Sequence, residues 1–181
     1  MSIFSDWQKK YASHGIATFP VRITPDRKQP AISHYGRVGL QGSAKLASKG
    51  VFDAFGFMTG ARSKVTVLDV DIGGERVLSH ALARHGETPL VVGSGSGKYH
   101  AYYRHNGERR RIRPWRGLPI DLLGEGGLVV APPSKATEGR QYEIIQGGLD
   151  DLDRLPVLRD LDFKPNGVKQ VHATIPCGAI A

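Results

Sequence analysis

The chain has 181 residues, 40% hydrophobic and 23% charged, the balance of an ordinary soluble domain long enough to bury a core. Its 25 Lys and Arg against 17 Asp and Glu leave a net charge of +8, which either serves a polyanionic partner such as nucleic acid or only aids solubility. The sequence has no apolar run of about 18 residues and its N-terminus has no signal-peptide core, so no membrane partner is expected; the single Cys177 excludes an internal disulfide and a multi-cysteine zinc site, and a cytoplasmic setting follows by default.

In chain order, the first predicted element is an amphipathic helix over about Ser5 to His14, with Trp7 and Tyr11 four apart and Gly15 as its stop. IATFPVRI (16–23) reads as a strand in which Pro20, lacking an N–H, marks an edge or a bulge. Residues 24–42 read as a long polar loop, and a structureless loop of that length is usually functional or disordered. Its Arg27 and Lys28 are either solvated or reach for phosphate. A short helix near Ser43 to Ser48 follows, then a short strand (54–60) and a strong one (64–72). The helix expected at 74–86 turns Val77, Leu78, Ala81 and Leu82 inward and stops at Gly86. Two strands flank a Gly-Ser turn at 93–97, LPIDLLGEGGLVVAPP (118–133) reads as a hairpin turning at Gly124 to Gly127, and RQYEII (140–145) is a last strand. A linker with a short helix is expected from Gly147 onward. The class is α+β with a mainly antiparallel sheet.

Chemistry concentrates in a few stretches. In TVLDVDIGG (66–74), Asp69 and Asp71 are two apart on a strand and so share a face. Capping of the following helix accounts for one acid near its start but not for two side by side. Carboxylates this close raise each other's pKa unless cations intervene, and Mg2+ binds through one or two carboxylates plus substrate phosphates. Asp121, central in another apolar strand, is either a hydrogen-bonded structural acid or the third ligand of a two-metal phosphoryl-transfer site. In VVGSGSGKYHAYY, glycines with Ser94, Ser96 and Lys98 suit a phosphate, and alternation puts Lys98, His100 and Tyr102 on one face. A lone strand histidine is otherwise structural. The stretch RHNGERRRIRPWRG (104–117) holds six arginines. Arg109, Arg110, Arg111, Arg113 and Arg116, with Trp115 among them, suit a nucleic-acid backbone and a stacking base, or form a solvated loop. Pro132 and Pro133 read as a strand-terminating turn, beside which Ser134 and Lys135 could face a ligand.

Taken in order, GIATFPVRITPDRKQP, FGFMTGARSKVTVLDVDIGG, GSGSGKYHAYYR and LPIDLLGEGGLVVAPPSKATEGRQYEI resemble the bifunctional primase/polymerase N-terminal domain of the archaeo-eukaryotic primase superfamily, over roughly residues 7–146. The resemblance implies an RRM-like acidic-site module (about 61–146) packed against an N-terminal α/β module (about 1–60), with 147–181 as an extension toward a downstream domain. It implies Asp69, Asp71 and Asp121 as ligands of two Mg2+ or Mn2+ ions; some relatives carry a zinc-binding insertion, against which the single cysteine argues here. His100 would contact the triphosphate of the incoming nucleotide, with Ser94, Ser96 and Lys98 alongside and Lys28 nearby. GSGSGKYH is slightly longer and more basic than the family's GSGGxH-like form. The implied activity is template-dependent nucleotidyl transfer, as DNA primase or polymerase, in plasmid, phage or mobile-element replication. The implied partners are template and primer DNA, nucleoside triphosphates, and a downstream helical or helicase domain. A metal-dependent nuclease and a non-catalytic DNA- or origin-binding module are the rival readings.

Overall fold

The computed structural model describes residues 2–136 and 138–161; Cys177 and the rest of 162–181, which belong to the expected extension, lie outside the described residues. Helix α1 (Ile3–Ser13) starts two residues before its predicted position, because the Ser2 hydroxyl accepts the Ser5 N–H and the Ser5 hydroxyl accepts the Ser2 N–H in return. Its buried face carries Phe4, Gln8 and Tyr11, while Trp7 is only partly buried against the same core. The polar stretch 24–42 is less irregular than expected. Strand β1 (Thr18–Ile23) pairs with β2 (Lys28–Pro30), and a short 3-10 turn (Tyr35–Arg37) leads into α2 (Leu40–Lys49).

Strand β3 (Phe55–Met58) pairs with β1 on its other side, so β1 is an interior strand and the edge or bulge inferred from Pro20 does not occur. Pro20 sits where the partner changes: β3 pairs with Thr18–Pro20 and β2 with Val21–Ile23, so the missing N–H falls at the hand-over.

The second sheet begins with β4 (Val65–Val70), followed by α3 (Gly74–His85), β5 (Val91–Ser94), β6 (Tyr99–Arg104) and β7 (Ile120–Leu123). Its order is β7-β4-β6-β5, closed on the outer edge by β9 (Tyr142–Gln146), and every pairing is antiparallel. Fourth, first, third, second is the order of an RRM-like split β-α-β sheet, with the arginine-rich stretch between β6 and β7 where a second helix would stand.

The hairpin expected at 118–133 is absent. β7 lies in this sheet, whereas β8 (Leu128–Val130) crosses to the first sheet and pairs with β3. The crossing is pinned by Thr59, whose N–H bonds to Gly127 O at 2.9 Å and whose hydroxyl bonds to Gly124 O at 2.7 Å. Glycine is required at 124, since a Cβ there would lie 2.2 Å from Glu108 O. A short 3-10 helix (Leu149–Arg154) is the last regular element among the described residues.

Strand alternation splits the core in two. Leu68, Val70, Tyr103 and Ile120 face α3 on one side of the second sheet, joined there by Leu78 and Ala81, with Val77 and Leu82 partly buried. Val65, Val67, Tyr102 and Leu123 face the other way, into a larger core shared with Phe19, Phe55 and Phe57 of the first sheet. That shared core holds the two sheets together. Phe55 is its centre, stacked on Phe4 at 5.7 Å and edge-on to Tyr11 at 5.3 Å. Phe55→Ala is expected to lower stability by about 3–5 kcal/mol, read from denaturant unfolding.

Candidate active site

Asp69 follows Val65 and Val67 on the β4 face that enters the shared core, at the end where the two sheets part. The register then builds a row. Asp69 lies directly across from Asp121 of β7 on one side and from His100 of β6 on the other. One step further along, Asp71 meets Lys98, whose Nζ is 2.8 Å from Asp71 Oδ1. The expected same-face acids and the same-face Lys98 and His100 are therefore brought together, each acid opposite a nitrogen base, with Asp121 beside them.

Each acid has its own compensation. His100 Nε2 is 3.4 Å from Asp69 Oδ1, within ion-pair range but long for a hydrogen bond. Asp69 Oδ1 and His100 Nδ1 are both buried without a hydrogen-bond partner. Burial by itself would raise the Asp69 carboxyl, but His100, with Lys28 and Lys98 behind it, more than offsets that and holds the group below the usual carboxylate range. The Lys98 ammonium is held above its ordinary value, first by its hydrogen bond to Asp71, against the effect of burial. Asp121 accepts the backbone N–H of Arg113 at 2.9 Å, a residue in the left-handed region at φ 44°.

Among the described residues no three His, Cys, Asp or Glu side chains already converge as a metal cluster. The donor set nevertheless fits hard cations: two carboxylates face each other across adjacent strands, and one carries a buried oxygen with an unmet polar requirement. Asp71 is engaged by Lys98 rather than turned to a shared point.

Two adjoining cavities open over this row. One of about 370 Å³ runs between the sheets and is lined by Asp69, His100, Asp121, Arg110, Tyr35 and Met58 among others. The other, about 270 Å³, is lined by Arg27, Lys28, Ser94, Ser96, Lys98 and Arg140. Lys28 borders both, its ammonium 5.3 Å from the ring centroid of Tyr142, which in turn lies 5.7 Å from the His100 ring. The Ser94 and Ser96 hydroxyls meet at 2.9 Å in the tight turn before Lys98. Arg140 and Tyr142 escaped the sequence reading because β9 sits far along the chain and reaches this turn only by pairing with β5.

The arginine-rich stretch is neither a loose loop nor uniformly exposed. Arg111 exchanges both backbone hydrogen bonds with Leu122, and Glu125 N donates to Glu108 O, so the stretch lies along the open edge of β7. Arg109, Arg110, Arg111, Arg113 and Arg116 are solvent-exposed, Arg110 at the acidic cleft. Trp115 is only 3% exposed, packed on His85 at 4.4 Å in the α3-side core, so it anchors the stretch and offers no face to a base. Glu108, in the same stretch and not singled out from the sequence, is 1% exposed and accepts bonds from Thr66 Oγ1 at 3.0 Å and Asn106 N at 2.8 Å. Ser134 faces no ligand: it is fully buried and bonds to both the N–H and the carbonyl of Phe55.

Because its folded-state pKa is depressed, Asp69 adds stability that is complete above the unfolded carboxyl value of about 3.9 and is lost as pH falls through the folded value. The acid limb of thermal stability is expected to be shallower in Asp69→Asn than in the parent, in a titration from about pH 7 to about pH 3.

A family model described as the bifunctional DNA primase/polymerase N-terminal domain matches residues 8–158, a span that takes in all three acids, His100 and the arginine-rich stretch. No curated protein matches the chain.

Proposed function

The chain belongs to the bifunctional DNA primase/polymerase N-terminal family, and from that premise we propose that it extends or initiates a nucleic-acid strand on a DNA template at the Asp69–Asp121–His100 row. The observation that carries the reading is this register, which sets two carboxylates and a buried histidine in line on one sheet face under a cleft open to solvent. Asp69 and Asp121 would hold one divalent cation and Asp71 would help hold a second. Bound there, Mg2+ or Mn2+ would lower the pKa of the attacking 3′-hydroxyl and neutralise charge on the departing pyrophosphate. The chain's own part is placement and charge. Lys28, Lys98, Arg27 and the Ser94–Ser96 turn would take the triphosphate in the cationic cavity, while His100 steadies the phosphate nearest the acids. Arg110, Arg111 and Arg113, fixed along β7, would grip the template or primer backbone next to Asp121. DNA and nucleoside triphosphates are then the substrates.

Asp69→Asn and Asp121→Asn, each checked for folding by circular dichroism, are expected to lower template-directed synthesis with Mg2+ or Mn2+ by at least about a hundredfold. Retained synthesis in both would refute the assignment, and chelation should silence the parent protein. Arg110→Ala and Arg113→Ala should each weaken single-stranded DNA binding and reduce the slope of log K against log salt by about 0.7, read by fluorescence anisotropy.

A further inference from the structure

The Asp69–His100 and Asp71–Lys98 pairs differ in one respect that bears on how the site fills. Asp69 lies beside a histidine at a long 3.4 Å, whereas Asp71 is closed by a lysine ammonium at 2.8 Å. That lysine belongs to both halves of the site: its head is on the acid, and it also lines the cationic cavity with Arg27, Lys28, Ser94, Ser96 and Arg140. The pair is not locked in the interior, since the Lys98 side chain is 34% exposed and the Asp71 side chain 24%. A four-carbon stem and freely rotating ammonium let a lysine change partner without moving the backbone.

We propose that Lys98 is a tethered, displaceable cation for Asp71: it occupies the carboxylate while the cavity is empty, and a polyphosphate entering the cavity draws it off, freeing Asp71 for a divalent ion. The inference rests on the reading of the site as a nucleotide- and metal-binding centre, and it adds an order of events. Asp71 becomes a metal ligand only together with a triphosphate. Between turnovers the built-in ammonium relieves the repulsion of Asp71 with Asp69, so an empty site needs no bound metal ion beside Asp71. A lysine serving only as a phosphate contact would have no reason to be coupled to Asp71, and one serving only as a structural ion pair would be indifferent to polyphosphate.

A double-mutant cycle on the full chain separates these cases, with inorganic tripolyphosphate and Mn2+ alone as probes. In chelator, by calorimetry, Asp71→Asn should tighten tripolyphosphate binding about tenfold, and Lys98→Met should weaken it by a similar factor. In the double variant the Asp71→Asn gain should largely disappear. Without polyphosphate, by the electron paramagnetic resonance of free Mn2+, Lys98→Met should raise Mn2+ affinity about tenfold. Asp71→Asn should reverse that rise yet have little effect when Lys98 is intact. Lys98→Gln serves in place of Lys98→Met should the latter not fold. Purely additive effects, or Mn2+ binding unchanged by loss of Lys98, would overturn the displacement. The underlying site reading fails separately, if Asp69→Asn leaves Mn2+ binding untouched.

Discussion

Three carboxylates at one end of one sheet, Asp69 and Asp121 on its strands and Asp71 just past β4, are the constraint around which this molecule is arranged. Left alone they would repel and be costly to desolvate. The sheet resolves this by register. The strand beside β4 on one flank supplies His100 and Lys98 opposite Asp69 and Asp71, while on the other flank Asp121 is held by a backbone N–H from Arg113. Compensation is therefore distributed, one partner to each acid, and among the described residues the carboxylates are close in register without already forming a metal cluster. It is also incomplete, as the unpartnered Asp69 Oδ1 and His100 Nδ1 record. A residual polar requirement at the centre of a cleft is where a cation and a phosphate are worth most.

The cleft exists because the chain commits its strands to two sheets. Had β7 and β8 formed a local hairpin, the acidic sheet would have ended in an ordinary edge and the first sheet would have lost its last strand. Crossing at Gly124–Gly127 instead draws Leu128, Val129 and Val130 beside the acids as the opposite wall of the cavity. The shared aromatic core around Phe55 and Phe57 fixes the gap between the sheets, so packing far from the chemistry sets the distance across which substrate must fit.

A second consequence concerns the basic charge. Clustered arginines repel and would ordinarily wander in solvent, yet here they run along β7 with Trp115 as one anchor and Glu108 as the other. The buried Glu108 receives Thr66 from β4 and the Asn106 N–H, so the stretch is tied to the same strand that carries Asp69. Positive charge is thereby held at a set position beside Asp121 rather than being merely abundant. No helix is needed where the common RRM-like pattern would place one.

Much of this was legible in the residues. Period-two alternation in TVLDVDIGG and KYHAYY assigned Asp69 with Asp71, and Lys98 with His100, to common faces, because strand geometry is local. The α3 stripe of Leu78 and Ala81 was equally plain, and the α+β class followed from the pattern of elements. What alternation lacks is any statement of which strands are neighbours. That Asp121 stands across from Asp69, that Lys98 pairs with Asp71 instead of waiting for phosphate, and that β8 leaves its apparent hairpin all depend on pairings between residues distant in sequence. Likewise Trp115 reads in the sequence as a stacking face for a base or as part of a solvated loop, and only the packing of that stretch against β7 and α3 buried it together with Glu108. The sequence by itself determined which side chains carry the chemistry and which face of a strand each occupies. The tertiary structure alone decided their partners, because electrostatic compensation acts between groups that non-local pairing brings within a few ångströms.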